Sequence, residues 1–202
     1  MSTARDLMIV GLDRGPDRPV PQGDLSLALA GAEMIDIIRA EAATLEGDRI
    51  LPGLAPASFD PLLAAAASAL IRTPPFETVE DWLWRRGRGL AAAYRDALEQ
   101  DGVLTRQRGH WGPLQAGRQV LADSDERRQA VDRWSSREPV LATLATAAGI
   151  GGEPAVEAPE VAGEAVTAVL ASVNDAVMEL EAVRQRRAIE EAAFDNVWRG
   201  FA

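Results

Sequence analysis

Cysteine and lysine are absent from this sequence, and His110 is the only histidine among its 202 residues. Without cysteine, disulfides, thiolate metal sites and cysteine nucleophiles are excluded. One histidine cannot form a two-histidine metal site, so a metal would need carboxylate ligands, as Mg²⁺ or Ca²⁺ do. We therefore predict no metal site and no other cofactor.

Long hydrophobic runs are also missing. The longest stretch of low charge, residues 61–71, falls well short of the roughly 20 apolar residues that span a bilayer. The first residues lack the basic start and extended apolar core of a secretory signal. The expectation is a cytoplasmic protein, soluble or peripheral at the inner face of the membrane.

The chain is strongly acidic. It has 31 acidic residues and 21 basic residues, all of them arginine, and a net charge of −10. Such a surface repels phosphate backbones and anionic lipids at long range, so either contact needs a local basic patch. No nucleic-acid partner is expected. The lysine-free, alanine-rich composition is typical of a GC-rich bacterial genome. The length suits a single domain over residues 1–202.

Apolar spacing in the first half predicts helices and one short hairpin. A short apolar run predicts a strand or extended segment over residues 6–12. Helical periodicity predicts a helix over about 24–43, with Asp24 as its N-cap. A turn at 46–48 then leads into a second short strand.

Capping residues predict the next helices. Asp60 is a candidate N-cap with a proline after it, and the prolines at 74 and 75 stop that helix. Thr78 is the candidate cap of a helix reaching about residue 100. Gly87 and Gly89 lie inside this helix and predict that it bends or splits there.

The second half predicts a hairpin with an irregular tip over residues 102–123 and then only helices. Ser124 or Asp123 caps the first of these, Gly149 ends the next, and the terminal region is predicted as two helices meeting near Asn174. The predicted fold is therefore mainly α, a compact bundle of amphipathic helices with one or two small β-hairpins.

His110 and Trp111 fall at the predicted hairpin tip. A general base needs a hydrogen-bond partner that orients it, and the neighbouring residues offer none. We therefore interpret His110 as an exposed loop residue rather than a catalyst. As an alternative, the pair contacts a partner surface or a membrane interface, because tryptophan has an apolar body and a polar edge.

Three arginines, Arg85, Arg88 and Arg95, lie within about 80° of one another on an uninterrupted helix. Guanidinium groups on one face can hold a phosphate through paired hydrogen bonds. The alternative is a solvated basic stripe that pairs with the abundant acidic residues.

Carboxylate pairs, Glu33 with Asp36 and Glu190 with Glu191 and Asp195, sit among ordinary helix charges. Nothing predicts the separated pKa values that acid–base catalysis needs. No phosphate-binding loop and no nucleophile elbow are present, so we predict no enzyme activity.

Five stretches follow one another along the chain: LMIVGLDRGPDRPV, LSLALAGAEMIDIIRAEAATLEGDRI, PASFDPLLAAAASAL, IRTPPFETVEDWL and YRDALEQDGVLTRQRG. In this order of segments the sequence resembles the Golgi phosphoprotein 3 family, in its bacterial, actinobacterial-type members. The resemblance implies a non-enzymatic role, since eukaryotic members bind phosphatidylinositol 4-phosphate on Golgi membranes and act as adaptors for glycosyltransferases. It also implies a hairpin that assists membrane contact and oligomer formation.

The family pocket uses a Trp and an Arg around the first long helix and two Arg just before the Gly-Val-Leu hairpin. The resemblance places the Trp near Pro21, the first Arg at Ala30, and the paired arginines at Arg88 and Ala91. Only Arg88 keeps its residue type, and Arg85, one turn earlier, substitutes in part. Lost guanidinium groups each remove charge-assisted hydrogen bonds, so headgroup affinity of the family type is expected to be weak or absent.

Three hypotheses follow. The first is a peripheral membrane adaptor that binds an anionic phospholipid headgroup near Arg88 and Arg85. The second is a protein–protein interaction scaffold without a lipid ligand, with a protein partner or a second copy docked on the hairpin. The third is a winged-helix-like DNA-binding regulator using Arg106, Arg108 and Arg118 of the hairpin.

Overall fold

The computed structural model describes residues 2–14, 20–54, 56, 58–107, 118–151 and 163–199. Eight helices lie in this part of the chain: α1 (Thr3–Asp13), α2 (Gln22–Arg39), α3 (Pro61–Ser68), α4 (Val79–Arg86), α5 (Leu90–Gln100), α6 (Asp125–Ser135), α7 (Pro139–Ala147) and α8 (Glu164–Arg199). The described strands are β1 (Ala43–Glu46), β2 (Arg49–Pro52), β3 (Leu104–Gln107) and β4 (Arg118–Leu121). The predicted mainly α fold with small hairpins is confirmed.

Helix α2 is the centre of the molecule. It packs against α1, α3, α4, α5, α7 and α8, and its residues from Asp24 to Ile35 are all buried. A helix that is apolar around its whole circumference belongs in the interior. The position of each of the other helices is therefore defined by the side of α2 against which it packs.

The prediction of a strand over residues 6–12 is wrong, because this segment is helix α1. Ser2 caps it by accepting a hydrogen bond from the backbone N–H of Arg5. The α1 residues Leu7, Met8, Ile9 and Val10 are all buried, since α2, α5, α6 and α7 surround the helix. Burial on every side removes the amphipathic period, and a short continuous apolar run then looks like a buried strand.

The predicted helix over 24–43 exists with shifted ends. It begins two residues earlier and ends at Arg39, where Glu41, at φ +56°, turns the chain into β1. Asp24 is not its N-cap. It lies in the first turn, and Pro21 occupies the cap position without a side-chain hydrogen bond.

The predicted caps of α3 and α4 are confirmed. Asp60 accepts hydrogen bonds from the N–H groups of Leu62 and Leu63, and Thr78 accepts one from Asp81. Helix α3 ends at Ser68, several residues before the prolines that were expected to stop it.

The predicted split between α4 and α5 also occurs. Gly87 continues the last turn of α4, and Gly89 takes φ +70°, a conformation that favours glycine.

Both hairpins are antiparallel. Strand β1 pairs with β2 with Glu46 opposite Arg49, and β3 pairs with β4 with Gln107 opposite Arg118. The second hairpin fulfils the prediction over 102–123 in its two strands. Its tip, including His110 and Trp111, lies outside the described residues.

The C-terminal region is one helix, so the predicted break near Asn174 is wrong. No glycine or proline interrupts α8, and Asn174 is exposed, where its weaker helix propensity costs only a fraction of a kcal/mol. The predicted α6 and α7 are present, α6 with Ser124 as its cap. Every helix of the described segments is too short or too polar to span a bilayer.

Candidate functional site

Arg88 lies in the turn between α4 and α5, with its side chain exposed. The turn rests on the second turn of α2, since a Cβ on Gly87 would sit 3.4 Å from the carbonyl oxygen of Ser26. Within the described part of the chain, the Arg88 guanidinium makes no hydrogen bond or ion pair. Arg88 is therefore a positive charge available to a ligand.

Arg85 is occupied by an acid of the protein itself. Its Nε and Nη2 donate to the two carboxylate oxygens of Glu77 at 2.6 and 2.7 Å, and Nη2 also donates to the carbonyl of Ala69 at 3.2 Å. Its guanidinium lies 5.3 Å from the centroid of the Trp82 ring. The hydrogen bonds to Glu77 raise the pKa of Arg85. Of the two readings of this arginine, pairing with a neighbouring acid is the one observed.

The predicted common face of Arg85, Arg88 and Arg95 does not form, because the three residues do not share a helix. Arg85 is on α4, Arg88 is in the turn, and Arg95 is on α5. Arg95 is half-buried, and its Nε is a buried donor without a partner among the described residues. An angle of 100° per residue applies only along one uninterrupted helix.

Two of the family pocket positions are interior. Ala30 is 0% exposed, and its carbonyl accepts a hydrogen bond from Nε1 of Trp82 at 3.1 Å. Ala91 is 1% exposed, and its N–H donates to Oγ of Ser26 at 3.1 Å. Pro21, the third position, is exposed just before α2. Side chains at positions 30 and 91 thus fill the contact of α2 with α4 and α5.

A second arginine that the sequence did not single out lies beside the start of α2. Nη1 of Arg184, on α8, donates to Asp24 at 2.7 Å. Its Nη2 would lie 2.8 Å from a Cβ on Gly23, and its side chain is 36% exposed. Gly23 and Ser26 are three residues apart, about 5 Å along the helix axis, so Arg184 and the Arg88 turn flank the same end of α2.

Glu33, predicted as an ordinary helix charge, is completely buried. It accepts two hydrogen bonds from Arg86 at 2.7 and 2.8 Å and one from the Tyr94 hydroxyl at 3.0 Å. Burial raises the pKa of Glu33, while Arg86 acts in the opposite direction. This network joins α2, α4 and α5. The sequence did not reveal it, because Arg86 and Tyr94 lie more than fifty residues after Glu33.

A polar cleft of about 670 Å³ opens between α1, α2, α6 and the residues before α3. Its arginines are engaged by carboxylates: Arg133 by Asp6 and Arg5 by Glu126. Asp36 accepts two hydrogen bonds from Thr3, both of 2.6 Å, and burial raises its pKa. The charges of the cleft largely satisfy one another, which favours a structural role.

The remaining candidates form no chemical centre. Glu190 and Glu191 are exposed on α8, and the side chain of Asp195 lies outside the described residues. No group of three or more acidic or histidine side chains in the described segments is placed to hold a metal ion.

A protein-family model described as Golgi phosphoprotein 3 (GPP34) matches residues 4–192. The match includes every element from α1 to the greater part of α8. No curated protein matches the chain significantly.

Proposed function

The chain belongs to the Golgi phosphoprotein 3 family, and from that premise we propose that it is a non-enzymatic peripheral membrane adaptor that binds an anionic phospholipid headgroup beside Arg88. The observation that carries the proposal is the exposed Arg88 side chain, which makes no ion pair in the described part of the chain. Membership of the family fits a lipid-binding adaptor in general.

Arg184 supplies the second cation of the proposed site. Its Nη1 donates to Asp24 at 2.7 Å and to Glu181 at 3.5 Å, and these contacts leave the donors on Nε and Nη2 for a phosphate. The first turn of α2 also lacks a side-chain cap, so its N–H groups add a partial positive charge. A headgroup phosphate placed between the two arginines would meet both side chains and this helix end.

Selectivity for phosphatidylinositol 4-phosphate is proposed to be weak. Two family positions, Ala30 and Ala91, offer no cation and are buried. Arg85, which was expected to compensate, is bound to Glu77. The proposed site therefore recognises the negative charge of a lipid headgroup more than the position of the phosphate on that headgroup.

Vesicle co-sedimentation tests this function. Phosphatidylcholine vesicles are compared with vesicles that also contain phosphatidylglycerol or phosphatidylinositol 4-phosphate. We expect wild type to bind both anionic compositions, and Arg88→Ala to bind each of them about tenfold more weakly, in keeping with the loss of a charge-assisted contact. Arg137→Ala is the matched control, because Arg137 is an exposed arginine in the turn between α6 and α7. Equal binding by wild type and Arg88→Ala would remove the site.

A scaffold without a lipid ligand is the second candidate, and the end of α8 favours it. Residues 185–191 are all exposed, and Ile189 is 69% exposed. An exposed aliphatic side chain on a helix end that the other described residues leave uncovered suits a protein contact. Sedimentation velocity of wild type and Ile189→Asp tests it: loss of a concentration-dependent dimer in the variant supports the scaffold, and a monomer in both removes self-association.

A further inference from the structure

Two segments that meet near the first hairpin each carry an exposed aliphatic side chain. Leu54 is 90% exposed and Ile71 is 41% exposed. Their segments meet because Nη1 of Arg72 donates to the carbonyl of Gly53 at 3.2 Å. The exposed prolines at 74 and 75 follow Ile71 in the second of these segments. We call Leu54, Ile71 and these two prolines the apolar patch.

Three partly or fully exposed arginines, which we call the arginine ring, donate hydrogen bonds to the two segments that carry this patch. Besides the bond from Arg72, Arg49 donates to the carbonyl of Phe76 at 2.6 Å and Arg85 to that of Ala69 at 3.2 Å. These bonds fix the guanidinium groups to the two segments that carry the patch. The side chains of Arg49 and Arg85 remain 50% and 42% exposed.

The charges facing this surface leave the ring partly uncompensated. Arg85 is neutralised by the buried Glu77, and Nε of Arg49 is 3.8 Å from a carboxylate oxygen of Asp48. Arg72 has no carboxylate partner within the described residues. Exposed aliphatic side chains on segments that also hold guanidinium groups match the edge of an anionic bilayer, where aliphatic side chains enter the headgroup layer and arginines remain at the phosphates.

We propose that the apolar patch and the arginine ring form a membrane-docking surface for anionic lipid, with Leu54 inserting among the headgroups. The exposed aliphatic area is on the order of 200 Å², far below the roughly 800 Å² that each partner contributes to a stable protein interface. The net charge of −10 repels an anionic surface at long range, so this contact acts at short range through insertion.

Apart from Arg85, which lies only three residues before Arg88, this surface is separate from the headgroup site. Gly53 lies against Glu41 and Ala42, just after the C-terminal end of α2, whereas the Arg88 turn lies against Ser26 near its start. The two positions are about 20 Å apart along α2. The inference rests on the proposed function in one respect, namely that the protein attaches to a membrane. A single weak headgroup contact needs a second membrane contact for stable attachment, and the apolar patch would supply it.

The absence of cysteine gives a direct test. A single-cysteine variant, Leu54→Cys, is labelled with the environment-sensitive fluorophore NBD and mixed with phosphatidylcholine vesicles, with or without one quarter phosphatidylglycerol. Met178→Cys carries the same label as the matched control, because Met178 is also largely exposed but lies on α8. A third sample places the Leu54 label in the Arg88→Ala background.

We expect a blue shift and an intensity rise of about twofold at position 54 with anionic vesicles, and no change at position 178. Unlabelled Leu54→Ala should partition about fivefold more weakly. If the label at position 54 shows no shift while wild type co-sediments with the vesicles, the docking surface is wrong and the Arg88 site is retained. A shift that persists in Arg88→Ala, with phosphoinositide binding unchanged, supports the docking surface and overturns the Arg88 site. A shift that grows with protein concentration without vesicles assigns the patch to self-association and overturns the proposal.

Discussion

Glu77 holds Arg85 through two hydrogen bonds of 2.6 and 2.7 Å, and the carboxylate side chain is only 5% exposed. Arg88, three residues further along, is exposed and unpaired within the described residues. The two neighbouring arginines therefore have different roles. Arg85 neutralises the buried carboxylate of Glu77, and Arg88 is exposed to solvent just after α4.

The first prediction separates these two roles. Arg85→Ala should lower the free energy of unfolding by about 1–2 kcal/mol, less than for a fully buried pair because Arg85 remains partly in solvent. Arg88→Ala should change stability by less than about 0.5 kcal/mol and instead weaken vesicle binding. Urea denaturation measures the first effect and co-sedimentation the second. If both variants lose stability equally, the division between the two arginines is wrong.

The local elements were largely predictable from the sequence, because their signals are local. Asp60 and Thr78 cap helices within three residues of themselves, and Gly89 separates α4 from α5 by its own left-handed backbone conformation. Helix α1 was missed since its identity depends on the helices that surround it. Burial around the whole helix is a tertiary property that a run of apolar letters does not reveal.

The candidate site was predicted less well, for a related reason. Arg88 was identified, but the partner of Arg85 depends on how residue 77 folds back against α4. Burial at position 30 likewise depends on Trp82, fifty-two residues away. Arg184 escaped notice because α8 returns to the start of α2 from the far end of the chain.

The second prediction concerns the family pocket position at residue 30. Ala30→Arg should lower the free energy of unfolding by about 3 kcal/mol or more, because a guanidinium would replace a methyl group in the core without an acidic partner. It should add no affinity for phosphatidylinositol 4-phosphate. Gln22→Arg, at an exposed position of the same helix, is the control and should retain wild-type stability. A stable Ala30→Arg protein with a new preference for this lipid would contradict the burial argument.

The third prediction concerns pH. Burial raises the pKa of Glu33, so its stabilising contribution is complete below about pH 4, near the pKa of an unfolded glutamate, and declines as pH rises through the folded pKa. The stability of wild type relative to Glu33→Gln should therefore be greatest at about pH 4 and below, and should fall over the pH range above it. Denaturant unfolding across this range measures it, with the exposed Glu191→Gln as a control that shows no such trend. A difference that grows with pH would show that the Arg86 pair outweighs burial.

The fourth prediction tests the close approach of α8 to α2. A Cβ on Gly31 would lie 2.2 Å from Cγ2 of Val173, and Val173 is 1% exposed, so neither side chain can move into solvent. Gly31→Ala should therefore destabilise the protein by about 1–3 kcal/mol, despite the better helix propensity of alanine. Val173→Ala alone leaves a cavity and should also destabilise. Combined with Gly31→Ala it removes the clashing methyl groups, so the double variant should be more stable than the sum of the single effects predicts. Urea denaturation of all four proteins gives the coupling energy, and strict additivity would mean that the two helices separate instead of remaining in contact.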